Sequence, residues 1–261
     1  MPKKLLLIGV IIILGILALS ACSALSPAQG NEVIPVTGKQ AASAADLLTL
    51  STFSDVPYDY AETVNGVVYN LHDPIQSLYD NGLANGTSAN PPLYSPGEII
   101  DRVHFAVFLM RAKFGDNYIP PTGPWTTYAA DDWIALADYQ KWAEGMHNAK
   151  LTNGCQTDPL MFCPGQQLTH LDAVVFALRI KYNVYDATGN LAVAYEPPSA
   201  SGTVFADMND VNFYGTKWAE AAYINNLLPA CGTSGDKPIF CPNEPVTRAW
   251  AAYIITQTKG F

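Results

Sequence analysis

The chain has 261 residues, of which 14 are basic and 23 are acidic, and its formal net charge at pH 7 is −9. This acidity argues against nucleic acids and anionic membrane surfaces as partners, because both attract cationic proteins. A chain of this length can form one large folded unit or several small ones.

The N-terminal segment has the pattern of an export signal. Two lysines precede an apolar run over residues 5–19, which is about 15 residues long and therefore short for a membrane-spanning helix of about 20 residues. The run ends at Leu19-Ser20-Ala21-Cys22, which resembles the lipobox of bacterial lipoproteins. The resemblance implies removal of residues 1–21, lipidation of Cys22 and a membrane-anchored, extracytoplasmic location at the bacterial envelope. An uncleaved anchor and an ordinary cleaved signal are the alternatives.

Residues 22–50 are rich in Ser, Ala, Gln, Asn, Pro and Gly and show no sustained period. We interpret them as a flexible tether with a root-mean-square span of roughly 30 Å. Loss of the signal removes two lysines, which leaves 12 basic against 23 acidic residues and a charge of −11.

The rest of the chain contains an internal repeat. The segments Cys155–Arg179 and Cys231–Gln257 share a cysteine, a turn-rich loop, the letters Phe-Cys-Pro, a Thr with a basic residue after it, and an apolar stretch. A further segment, Gly86–Arg111, aligns with the first of these without a gap and has Thr87 and Ser95 at the two cysteine positions. Such periodicity predicts three tandem repeats. We name them copy 1 (51–117), copy 2 (118–186) and copy 3 (187–261).

Each copy is predicted to contain two helices around a loop. The second helices follow good N-cap residues, Asp101, Thr169 and Thr247, and are apolar for about ten residues. Helix pairs this short cannot bury their apolar faces alone, so the three copies are expected to pack together.

An aromatic residue shortly before an aspartate opens each copy, and these aspartates, Asp55, Asp131 and Asp207, are interpreted as turn residues. With Val246-Thr247-Arg248-Ala249, these motifs resemble the S-layer homology repeat, whose pattern is Phe-x-Asp, a Trp-bearing helix, Phe-x-Pro and Thr-Arg-Ala-Glu. The resemblance covers about residues 53–261 and is strongest in copy 3, where Trp250 replaces the Glu. It implies a mainly α fold, with three helix-loop-helix repeats packed as a pseudo-threefold body.

The four cysteines after Cys22 are an even number in a chain predicted to be exported, which favours two disulfides. Local pairs, Cys155–Cys163 and Cys231–Cys241, are preferred because copy 1 lacks both partners at once. Pairing between copies is the alternative. The spacing does not suit a structural zinc site, and no metal is predicted.

The basic residue after each N-cap is the main candidate for ligand binding. Arg102, His170 and Arg248 occupy the first helical positions, where a cation opposes the helix dipole. With free backbone N–H groups they would form anion pockets. The resemblance implies that these residues bind cell-wall polysaccharide of acidic or pyruvylated type. The alternative is that each pairs with a carboxylate of a neighbouring copy.

Trp142 and Trp218, at equivalent positions of copies 2 and 3, are further glycan-binding candidates, since indole rings stack on sugars. Tryptophan on a helix stripe is more often part of the core.

No metalloprotease, nucleophile-elbow, P-loop or dinucleotide motif is present, so we predict neither an enzyme nor a cofactor. The leading hypothesis is a non-catalytic anchor that joins the membrane to the wall, with lipid at one end and glycan-binding repeats at the other. The alternative is an envelope protein–protein interaction module whose degenerate repeats no longer bind glycan. A solute-binding lipoprotein is disfavoured because the repeats lack two α/β lobes.

Overall fold

The structure, a computed structural model, describes residues 51–260; the predicted signal peptide, Cys22 and the predicted tether lie outside the described residues. Within this range, 33% of the residues are helical and 16% are in strands. The prediction of a mainly α body of helix-loop-helix repeats is therefore wrong, because six helices are combined with five small antiparallel sheets.

The helices, two in each copy, are α1 (His72–Asp80), α2 (Arg102–Phe114), α3 (Gln140–Asn148), α4 (His170–Tyr182), α5 (Tyr214–Ile224) and α6 (Arg248–Lys259). Three of them, α2, α4 and α6, are buried on nearly all faces and contact one another at the centre. A helix that is apolar all round belongs in a core, and these three form it. The predicted N-caps are confirmed, since the side chains of Asp101, Thr169 and Thr247 each accept a backbone N–H of the first turn.

All five sheets of the described chain are two-stranded antiparallel hairpins. The strands are β1 (Ala61–Val64), β2 (Val67–Asn70), β3 (Ser88–Ala89), β4 (Pro92–Leu93), β5 (Gln156–Thr157), β6 (Leu160–Met161), β7 (Val184–Tyr185), β8 (Leu191–Val193), β9 (Gly232–Ser234) and β10 (Lys237–Ile239). The pairs β3–β4, β5–β6 and β9–β10 occupy the loop between the two helices of each copy, where the sequence analysis predicted no strands. The pair β1–β2 precedes α1, and β7–β8 spans the predicted boundary between copies 2 and 3.

Both predicted local disulfides are confirmed. Cys155–Cys163 and Cys231–Cys241 have Cα–Cα distances of 6.0 and 6.1 Å. In copy 1 the hydroxyl groups of Thr87 and Ser95 lie 2.7 Å apart and form a hydrogen bond in place of the disulfide.

An aspartate clamp fixes the turn that follows each of these hairpins. In copy 2 the carboxylate of Asp131 accepts hydrogen bonds from the N–H groups of Phe162 (2.6 Å) and Cys163 (2.9 Å). Cys163 has a φ of 57°, in the left-handed region that non-glycine residues rarely adopt. Equivalent clamps join Asp55 to Tyr94 and Ser95, and Asp207 to Phe240 and Cys241.

The three copies are joined in a closed ring of backbone hydrogen bonds. The N–H of Ile100 donates to Val246, that of Val246 to Leu168 and that of Leu168 to Ile100, at distances of 2.8–3.0 Å. Each central helix also packs on the first helix of the next copy, in the pairs α2–α3, α4–α5 and α6–α1. Because α6 packs on α1, the last copy contacts the first.

We expect Asp131→Ala to lower the free energy of unfolding by about 2–4 kcal/mol, because two backbone N–H groups lose their acceptor. Chemical denaturation measures this. The control is Asp132→Ala, at an exposed neighbour whose carboxylate, within residues 51–260, accepts only from Ile134 N–H; this substitution should cost less than about 1 kcal/mol. Equal losses for the two variants would contradict the clamp's importance.

We expect the double variant Cys155→Thr, Cys163→Ser to fold with the hydrogen-bonded arrangement of copy 1. Its free energy of unfolding should fall by roughly 2–3 kcal/mol, the loop-entropy contribution of a ring this small. Thermal and urea unfolding with and without reductant tests this, because reductant should destabilise the parent and spare the variant at this position. A variant as stable as the oxidised parent would show that the hydrogen bond suffices.

Candidate ligand grooves

The N-termini of the central helices are not free anion sites. The N–H of Arg102 donates to Gln166 O at 2.9 Å and that of Val103 to Pro164 O at 3.2 Å, both in copy 2, while the third N–H is held by the N-cap. Copies 2 and 3 repeat the arrangement at His170 and Arg248. The predicted anion pocket built on free N–H groups is therefore wrong, because the next copy satisfies these donors.

Arg102 lies inside the protein, with 2% of its surface exposed. Its Nε donates to Phe162 O at 2.9 Å, and its terminal nitrogen lies 2.5 Å from the carboxylate of Asp172. The guanidinium also lies over the rings of Phe162 and Phe176, at 5.4 and 5.2 Å. For Arg102 the structure therefore agrees with the alternative interpretation given above, in which the basic residue pairs with a carboxylate of a neighbouring copy.

His170 occupies the equivalent position in copy 2 and is 8% exposed. Its Nδ1 lies 3.2 Å from Phe240 O, so Nδ1 carries the hydrogen and Nε2 has the lone pair. Burial lowers the pKa of His170, and the hydrogen bond and nearby Glu244 oppose that shift. At neutral pH the ring is therefore uncharged.

Arg248 is the half-buried counterpart in copy 3. Its Nε donates to Tyr94 O at 2.8 Å, and its guanidinium lies 4.7 Å from the centre of the Tyr94 ring. The two terminal nitrogens make no hydrogen bond within residues 51–260. Arg248 is therefore anchored at one edge and open at the other.

The open edge of Arg248 faces a cavity of about 230 Å³, the arginine groove. Its polar and aromatic lining residues are Asn85, His104, Phe108, Arg111, Tyr139, Trp142 and Arg248. None of the residues that line it carries a carboxylate, and the nearby Asp101 is hydrogen-bonded to His104 Nδ1 at 2.7 Å. Guanidinium groups can donate hydrogen bonds to an anionic group of a ligand, and the aromatic side chains beside them can pack against the rings of that ligand.

A second cavity, of about 240 Å³, takes the equivalent position between copies 3 and 1. We name it the acidic groove; Glu62, His170, Glu244 and Trp250 are among its lining residues. Glu62 comes from the β1–β2 hairpin and accepts a hydrogen bond from Trp250 Nε1 at 2.8 Å. The third equivalent position holds the Arg102–Asp172 ion pair.

The structure separates the five glycan-binding candidates. It brings Trp142 and Arg248 together in the arginine groove and places His170 in the acidic groove, while Arg102 and Trp218 line neither. Trp142 and Trp218 are 7% and 3% exposed and pack in the core. Arg111, Tyr139 and Glu62 were not predicted from the sequence. The signal for Arg111 was its recurrence in the repeat, since Arg179 occupies the equivalent position of copy 2 and each of the two arginines lies over a tryptophan of the next copy.

Acidification should destabilise the protein partly through His170. Burial lowers the pKa of His170 in the folded protein below its ordinary value of 6.5. As the pH falls below 6.5, the unfolded chain therefore binds a proton at His170 before the folded protein does, and the free energy of unfolding decreases. We expect the melting temperature to fall less between pH 7.5 and pH 5 in His170→Gln than in the parent. Identical pH profiles would show that His170 does not contribute.

No protein-family model matches the chain, and no curated protein matches it. Within residues 51–260, no helix combines the length and the apolar character needed to cross a membrane. The chemistry of the grooves is therefore the basis for a functional conclusion.

Proposed function

We propose that the protein is a non-catalytic component of the bacterial cell envelope that binds an anionic wall polysaccharide in the arginine groove. Together with lipidation at Cys22, this binding would tether the membrane to the wall. The observation that carries the proposal is the composition of the arginine groove. It presents two guanidinium groups and a histidine on a chain whose net charge is −9, and none of its lining residues is acidic.

The geometry around Arg248 supports this role. The hydrogen bond from its Nε and the ring of Tyr94 hold the guanidinium in one orientation, so that the N–H groups of its free edge can donate two hydrogen bonds to a carboxylate. Tyr139 contacts His104 edge to face, with ring centres 4.6 Å apart, and forms an aromatic wall of the groove. The motifs that resemble S-layer homology repeats agree with a saccharide ligand.

A protein–protein interaction module is the second candidate. The observation in its favour is that Arg102 and His170 are buried, so that among the three basic residues at helix starts only Arg248 offers a guanidinium to a groove. Under this alternative the protein would bind an envelope protein and would show no affinity for protein-free wall glycan.

We expect Arg248→Gln and Arg111→Gln each to weaken binding to protein-free wall sacculi by about tenfold or more, since each removes a charge-assisted contact of about 1.5–3 kcal/mol. Sedimentation of the purified protein, residues 22–261, with sacculi measures this. Raising the salt concentration should weaken binding further.

Arg179→Gln is the matched control. Arg179 donates a hydrogen bond to Leu151 O and lies over Trp218. Arg111 likewise donates to Leu83 O and lies over Trp142. The difference is that Arg179 does not line the arginine groove. Its loss should reduce stability as the loss of Arg111 does and leave binding unchanged. If the protein binds no protein-free sacculi, or if all three variants bind like the parent, the glycan proposal fails and the interaction module takes its place.

A further inference from the structure

The acidic groove presents hydrogen-bond acceptors from three directions. Glu62 comes from β1, Glu244 from the turn before α6, and His170 from the start of α4. The carboxylate of Glu244 has no hydrogen bond or ion pair within residues 51–260. Glu62 accepts from Trp250 Nε1 and, at 3.3 Å, from the hydroxyl of Tyr60, which leaves further lone pairs on its two oxygens.

His170 adds a third acceptor that has no partner in the described chain. The imidazole is 8% exposed and is fixed by its Nδ1–H, which donates to Phe240 O. Its Nε2 makes no hydrogen bond within residues 51–260, and the residue lines the groove. A nearly buried acceptor that is held in place and left unpaired is suited to a donor on a ligand.

The spacing of these groups does not suit a metal ion. Among the described residues, ligand atoms of three or more potential metal-binding groups come within 4.8 Å of one another only at Cys231, Cys241 and Glu244, and both cysteines are in a disulfide. Glu62, His170 and Glu244 are thus not gathered closely enough to coordinate one ion. The cavity of about 240 Å³ between them instead has room for a protonated amine on a larger molecule.

A neighbouring cavity, which shares lining residues with the acidic groove, indicates the chemical class of that larger molecule. This tyrosine cavity has a volume of about 600 Å³ and shares Val64, Leu228 and Pro229 with the acidic groove. Three tyrosines line it, Tyr69, Tyr223 and Tyr253, and Tyr223 is 44% exposed. Aromatic rings with hydroxyl groups offer a flat apolar face and polar edges, which match the faces and hydroxyl groups of sugars.

We propose that the acidic groove and the tyrosine cavity together bind an oligosaccharide that carries a free, protonated amino group. The amine lies between Glu62, Glu244 and His170, and the adjoining sugars lie on the tyrosine rings. The site takes a ligand of opposite charge to that of the arginine groove and does not depend on the function proposed for that groove.

The test compares two ligands of equal length, the β-1,4-linked tetramer of glucosamine and its fully N-acetylated form. At pH 6, where most amino groups of the first are protonated, calorimetry should detect binding of the amine and at least tenfold weaker binding of the acetylated tetramer. Glu62→Gln and Glu244→Gln should each weaken binding of the amine by about tenfold. Glutamine keeps one acceptor for Trp250 Nε1, so melting temperatures should change little.

Two controls separate a site from general attraction to an acidic protein. The double variant Asp116→Asn, Asp138→Asn removes two exposed acids that line neither cavity and should bind the amine like the parent. Tyr223→Ala should weaken binding of the glucosamine tetramer more than binding of glucosamine itself, because only the longer ligand reaches the tyrosine cavity.

Equal binding of both tetramers, or unchanged binding by both glutamate variants, would overturn the proposal. So would a loss in the aspartate control as large as that in Glu62→Gln. Arg111→Gln should not affect this ligand, so failure here is distinguishable from failure of the anionic-glycan proposal.

Discussion

The aspartate clamp is the interaction on which the rest of the described structure depends. The carboxylate of Asp131 holds two successive N–H groups, and it thereby stabilises a turn whose second residue, Cys163, adopts a left-handed conformation. Beyond this turn the carbonyl groups of Pro164 and Gln166 point to the preceding copy, where they accept the first N–H groups of α2. A charged acceptor, two backbone donors and one strained residue thus determine how one copy meets the next. Since each copy has the same clamp, the three junctions close into a ring.

The three junctions share a backbone and differ in chemistry. Each places a basic residue at the start of a central helix with a nitrogen near a carbonyl of the following copy, at Phe162, Phe240 or Tyr94. At one junction an internal ion pair fills the space, at another a neutral imidazole lies beside two glutamates, and at the third a guanidinium remains open. Repetition therefore supplied three equivalent positions, and substitution of a few side chains made one structural, one acceptor-rich and one cationic.

The features that the sequence predicted correctly are those written in local patterns. The N-caps at Asp101, Thr169 and Thr247 and the two disulfides depend on residues close in the chain, and all are present. The fold class was wrong because strands of two to four residues are too short to show a detectable period, whether they precede a helix or lie in a loop between helices. Among the site residues, the internal pairing of Arg102 with Asp172 could not be read from the sequence, because it depends on how copies 1 and 2 meet. Glu62 was missed for the same reason, because its hairpin belongs to copy 1 whereas most of the residues that line the acidic groove belong to copy 3.

The hydrogen bond between Thr87 and Ser95 has a mechanical consequence. A pulling force applied at residue 51 enters copy 1, whose turn is closed by two hydroxyl groups, whereas the turns of copies 2 and 3 are closed covalently. Copy 1 also makes the only noncovalent seam that joins the two ends of the described chain, through Ile100 and Val246 and through α1 and α6. Under load the loop of copy 1 can lengthen once its hydrogen bond breaks, whereas the cross-linked loops of the other two copies cannot lengthen. The absence of two cysteines from copy 1 thus decides which of the three loops can extend.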